Sequence, residues 1–186
     1  KATLTVETGS DEKVYDGNPL TAPGTVKGFV EGESAELQVT GKQTNVGSSK
    51  NTYKIVWTET TKEDNYQVSA TVGTLTVTDQ SIEDSKKITV GTLDDVVYNG
   101  KNQKQEPAVT TKDGKTTLVK GTDYTLSYSE DTKNVGEVTV TVKGKGNYSG
   151  TVQRKYQITK ATLTVETGND EKVYDGNPLT APGTVK

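Results

Sequence analysis

Lys1–Lys27 reads KATLTVETGSDEKVYDGNPLTAPGTVK, and Lys160–Lys186 reads KATLTVETGNDEKVYDGNPLTAPGTVK. The two stretches lie 159 residues apart and differ only at Ser10 and Asn169. Within the stretch, Ala2, Leu4 and Val6 alternate with Thr3, Thr5 and Glu7. Alternation with period two is the pattern of a half-buried strand. Tyr15-Asp16-Gly17 follows, and an Asx-Gly pair supplies the positive φ of a tight turn. Pro19 and Pro23 then bracket an extended edge segment that lacks ladder donors. Near-identical copies at a long period mark a tandem array. The expectation is one whole period plus the start of the next, cut from a longer protein.

The same alternation runs outward through the chain. Ala35, Leu37 and Val39 alternate with Glu36 and Gln38; Tyr53, Ile55 and Trp57 share one face. Tyr66, Val68 and Ala70 repeat the pattern, then Leu75 and Val77. Tyr124, Leu126 and Tyr128 follow, then Val138, Val140 and Val142, and finally Tyr156 and Ile158. Each run is short and bounded by Gly, Asn, Asp or Pro. No stretch holds a 3.6-residue period. The 33 Thr and 23 Val residues favour pleated strands. The fold class expected is all-β, with small domains in an elongated tandem array.

Composition narrows the chemistry. Apolar residues make up 29% of the chain, so each unit buries a modest core. There is no Cys, which removes disulfides, thiolate metal sites and a cysteine nucleophile. There is no His, the commonest general base. An enzyme is therefore not expected, and no cofactor is implied. The net charge of −3 with interleaved signs gives no basic stripe for nucleic acid. No apolar run approaches membrane length, so no membrane insertion is expected in this segment.

The period contains two halves with the same landmarks in the same order. The first carries Val14-Tyr15-Asp16-Gly17, Asn45-Val46-Gly47, Asn65-Tyr66 and a final strand at Thr74–Thr78. The second carries Val97-Tyr98-Asn99-Gly100, Asn134-Val135-Gly136, Asn147-Tyr148 and a final strand at Lys155–Thr159. The domains expected are 1–79 and 86–159, with a polar linker at 80–85 and an incomplete copy of the first domain's start at 160–186. The tyrosine before each turn is expected to pack beneath that turn.

This ordered set resembles the MBG domains and their relatives in Gram-positive surface proteins. The pattern there is a V-Y-D/N-G turn, G-F/L-V-x-G-E, N-V-G, N-Y and a closing G-T-L-T-V-T. It is met by Val14–Gly17, Gly28–Glu33, Asn45–Gly47, Asn65-Tyr66 and Gly73–Thr78. The second half looks like companion repeats that read G-T-D-Y-T-x-S-Y, N-x-G and G-K-G-N-Y-S-G-T, at Gly121–Tyr128, Asn134–Gly136 and Gly144–Thr151. The resemblance implies a small β-grasp-like or sandwich domain in a cell-wall-associated, extracellular adhesin or a multidomain surface enzyme. It carries no shared catalytic residues.

Candidate sites are few. Trp57 with Tyr53 could present a flat aromatic platform to a sugar ring; the competing reading places Trp57 in the core. Asp79, Glu83 and Asp84 could hold calcium at the joint between domains; the competing reading is solvated loop charge. A Lys–Asn or Lys–Asp isopeptide bond is a third idea, with no triad located. Asn147-Tyr148-Ser149 matches a glycosylation sequon, which means little in a bacterial protein.

The function expected is a non-catalytic stalk or spacer that projects a binding head, with neighbouring repeats as its partners. The alternative is a multivalent module for mucin, glycan or host protein, gaining avidity from copy number. The incomplete tail is expected to fold back on the second domain or to pack against a neighbouring chain, in the sharper version by taking the place of residues 1–27 in another molecule.

Overall fold

The computed structural model describes residues 1–186. The chain is all-β, with one 3-10 turn at Glu63–Asn65. The first half contains β1 (Ala2–Thr8), β2 (Asp11–Val14), β3 (Gly24–Lys27), β4 (Ala35–Val39), β5 (Gly47–Lys50), β6 (Tyr53–Trp57), β7 (Tyr66–Thr71) and β8 (Thr74–Thr78). The second contains β9 (Gln80–Ser81), β10 (Ile88–Val90), β11 (Val96–Val97), β12 (Val109–Thr111), β13 (Tyr124–Tyr128), β14 (Gly136–Gly144), β15 (Tyr148–Ser149) and β16 (Thr151–Thr159). Last come β17 (Val165–Thr167) and β18 (Gly183–Val185).

In the first half the opening segment pairs in parallel with the closing one. β1 runs beside β7, and after a bend β2 runs beside β8. β3 pairs with the other edge of β1, β5 with the other edge of β8, and β4 with β6. The bend requires a close backbone approach. A Cβ on Gly73 would lie 2.2 Å from the Gly9 carbonyl oxygen, so only glycine fits. The fully buried Asn51 ties the same bend by donating from Nδ2 to the carbonyls of Gly9 and Ala22, at 2.9 and 3.0 Å. It bonds no lysine. Leu20 and Ala22, from the proline-bracketed segment, pack with Leu75 and Val77 as a small core.

The second half repeats this closure in the same register. Val14 pairs with Thr78 and Gly47 with Val77; Val97 pairs with Thr159 and Gly136 with Ile158. The Tyr15 N–H donates to the Thr78 carbonyl at 2.8 Å, and the Tyr98 N–H to the Thr159 carbonyl at 2.9 Å. The second core is larger. Val138, Val140, Tyr156 and Ile158 form one cluster, and Ile82, Ile88, Val90, Val109, Leu118, Tyr124 and Val142 form another.

Residues 80–85, read from composition as a linker, are built into this second unit. β9 pairs in parallel with β15, and Ile82 is 2% exposed within the second core. The segment is polar because only alternate residues face inward. Its single large apolar side chain is the anchor.

The tail keeps its local structure without a core. β17 and β18 pair Val165 with Val185, as β1 and β3 pair Val6 with Val26. Gly17 and Gly176 hold the same turn, at φ 81° and 80°. The tail's backbone hydrogen bonds all run within the tail, so it does not fold back on the second unit. Leu163 is 71% exposed, whereas its copy Leu4 is fully buried. This pair gives a test in one molecule. Leu4→Ala should lower the stability of the first unit by about 2–5 kcal/mol, the usual range for a buried leucine. Leu163→Ala should change it by less than about 0.5 kcal/mol. Urea unfolding followed by the fluorescence of Trp57, the only tryptophan, measures both.

Candidate functional site

The richest convergence of landmarks lies where the two halves meet. β8 ends at Thr78 and β9 begins at Gln80, so the chain passes between units within two residues. Because β8 lies beside β2, this exit falls next to Tyr15. The second unit presents Asn147 and Tyr148 there. The Gln80 N–H donates to the Asn147 carbonyl at 3.0 Å, and the Ile82 N–H to the Ser149 carbonyl at 2.9 Å.

Asn147 also reaches across to the first unit with both ends of its amide. Its Oδ1 accepts from the Val46 N–H at 2.9 Å, and its Nδ2 donates to Asn45 Oδ1 at 3.1 Å. Tyr15 and Tyr148 meet edge to face, with ring centroids 5.5 Å apart and planes at 81°. Such pairs contribute about 0.5–1.5 kcal/mol beyond their buried area. Burial at this contact pushes the Tyr148 phenol above its ordinary range.

Tyr15 therefore does more than support its own turn. Its ring touches the first core and the second unit at once. The copy in the tail, Tyr174, has no such neighbour and is 93% exposed. The turn after Tyr15 is self-contained in both copies. Asp16 accepts from Lys13 Nζ at 2.6 Å and from the Asn18 N–H at 2.9 Å, and Asp175 repeats both contacts. The lysine in each case holds its aspartate below the usual carboxylate range.

The three acids read as calcium ligands lie at this joint but do not converge. Asp79 accepts from the Ser149 hydroxyl, Glu83 from the Thr151 N–H at 2.7 Å, and Asp84 from the Lys86 N–H at 3.0 Å. No three acidic side chains gather anywhere in the chain. Asp79 and Glu83 instead brace the chain between the units against the hairpin that holds Tyr148.

Trp57 lies elsewhere, at the end of β6, and is half-buried. It stacks on Tyr66 at 5.8 Å and 27°, and Phe29 meets the same ring edge-on at 5.6 Å. The Tyr66 hydroxyl accepts from the Val30 N–H at 3.1 Å and donates to the Glu33 carboxylate. Burial raises its pKa. The aromatic cluster thus clamps the Gly28–Glu33 loop. Tyr53 is half-buried on the same strand and makes no ring pair with Trp57. The two landmarks Asn65-Tyr66 and Asn147-Tyr148 are put to different uses, one inside its unit and one at the joint.

Residues 4–76 match the sequence model of the MBG domain family, YGX type. These residues are an MBG domain. The match begins at buried Leu4 and ends in β8, so it spans the parallel closure from β1 to β8. No curated protein matches the chain. No helix of the chain is long and apolar enough to cross a membrane.

The MBG domain and its neighbour should be energetically coupled through Asn147. A double-mutant cycle of Asn45→Ala and Asn147→Ala, read by thermal unfolding, should return a coupling of about 0.5–1.5 kcal/mol. Strict additivity would show that the seam carries no energy.

Proposed function

We propose that this chain is a non-catalytic stalk or spacer segment of a bacterial cell-surface, adhesin-like protein. In this reading it lies outside the cell at the cell wall, and its regular partners are neighbouring repeats. The carrying observation is the joint, where Asn147 bonds across the boundary and Ile82 anchors the connecting segment in the next core. A connection of this kind transmits orientation, whereas a free linker does not. The mechanism is geometric: docked β units add their lengths, and copy number sets reach. The chain's lack of His and Cys, the commonest general base and the commonest thiol nucleophile, supports the same reading.

Small-angle X-ray scattering on chains of one, two and three periods tests this. The maximum dimension should rise by a constant step per period. Growth that falls off as the square root of copy number would identify flexible links and end the stalk reading. We also propose a contact between chains through the tail, supported by Leu163 and Val165 at 71% and 65% exposure. The same scattering series should show concentration-dependent growth for residues 1–186 and none for residues 1–159. Equal behaviour would remove that contact.

A further inference from the structure

The joint leaves a cleft of about 850 Å³ between the two units. One wall is the Lys13–Asn18 loop of the MBG domain. The other is the end of the β10–β12 ribbon, with Lys86, Lys87, Lys112 and Lys115. Gln80 and Tyr148 lie between the walls. The Lys112 N–H donates to the Lys87 carbonyl at 2.7 Å, which sets those two lysines side by side.

Five lysines and two aspartates line this cleft, in a chain whose net charge is −3. Lys86, Lys87 and Lys112 are exposed and enter no ion pair. Lys115 lies 3.7 Å from Asp113, with both side chains more than half exposed, so water screens that pair. A cleft lined by one dominant sign focuses its field and raises the local concentration of the opposite charge. Such a field favours an anionic ligand.

The rest of the lining narrows its class. Asp16 Oδ2 and the Asn18 side-chain amide oxygen hold no hydrogen bond within the chain and can accept from hydroxyl groups. A phosphodiester polymer has few hydroxyls to offer them. Tyr148 and its edge-on partner Tyr15 add apolar ring surface against which the C–H face of a sugar can lie. Lysines for carboxylates, acids and amides for hydroxyls, and a tyrosine floor describe a carbohydrate ligand that carries charge.

We propose that this cleft binds an acidic oligosaccharide, with carboxylates on otherwise hydroxylated rings. The site is built jointly by the two units and lies apart from Trp57. It goes beyond the stalk reading, because a stiff joint stands whether or not the cleft is filled.

The test is a titration of the ¹⁵N-labelled 186-residue chain with a hyaluronan hexasaccharide, which carries carboxylates but no sulfate or phosphate. Maltohexaose and a six-residue thymidine oligonucleotide serve as comparators. Amide shifts should cluster at Lys13–Asn18, Lys86–Ile88, Thr111–Thr116 and Tyr148. Maltohexaose should give none, and the oligonucleotide should bind more weakly than hyaluronan. The triple variant Lys86→Glu, Lys87→Glu, Lys112→Glu should lose about tenfold or more in affinity. Its spectrum elsewhere should be unchanged, and Lys112→Glu alone serves if the triple variant unfolds. Absence of cleft shifts at millimolar hyaluronan overturns the proposal. So does tighter binding of the oligonucleotide, or unchanged affinity in the variants. Scattering on the folded variant should match the original chain, so failure of binding leaves the stalk reading intact.

Discussion

Each unit of this chain is closed by a parallel pairing between its opening and closing segments. In the MBG domain, β1 and β2 lie beside β7 and β8. In its neighbour, β11 lies beside β16. Parallel partners cannot be joined by a tight turn, so everything between must cross over and form the remaining sheet. The tail shows what this closure contributes. Its sequence matches Lys1–Lys27 at all but one position, and it forms the same hairpin in the same register. Without a β7 beside it, Leu163 and Val165 stay in solvent. Local propensity makes the hairpin, and the long-range pairing makes the core.

The same closure positions the joint. The last strand of the first unit ends beside the Val-Tyr landmark, because Tyr15 donates to Thr78. The chain therefore leaves the first unit where Tyr15 and Asn45 are already displayed. The second unit meets them with Tyr148 and Asn147, and the connecting strand has no free length. The cleft follows from this arrangement, since the Lys13–Asn18 loop and the β10–β12 ribbon flank the exit without filling it.

Much of the fold was legible in the sequence because it is written locally. Period-two alternation located the strands, and Asp16-Gly17 located a turn that the tail repeats unaided. The same landmark order recurs in both halves, and Gly47 and Gly136 hold matching positions opposite Val77 and Ile158. The joint was less legible. Asn147 bonds Asn45 across 102 residues, and nothing in either local pattern records that distance. The 80–85 segment reads as polar linker because a single residue, Ile82, anchors it; that one apolar side chain was the available signal. The basic cleft was hidden for a similar reason. Lys13, Lys87 and Lys112 are ordinary surface lysines in sequence, and only the docking of two units faces them into one space.

The central claim is that the two units move as one body. Residual dipolar couplings of backbone amides in residues 1–79 and 80–159, measured in one alignment medium, test it most directly. A docked joint predicts a single alignment tensor, with the same magnitude and orientation for both sets. Two tensors of different magnitude would show independent tumbling and contradict the account.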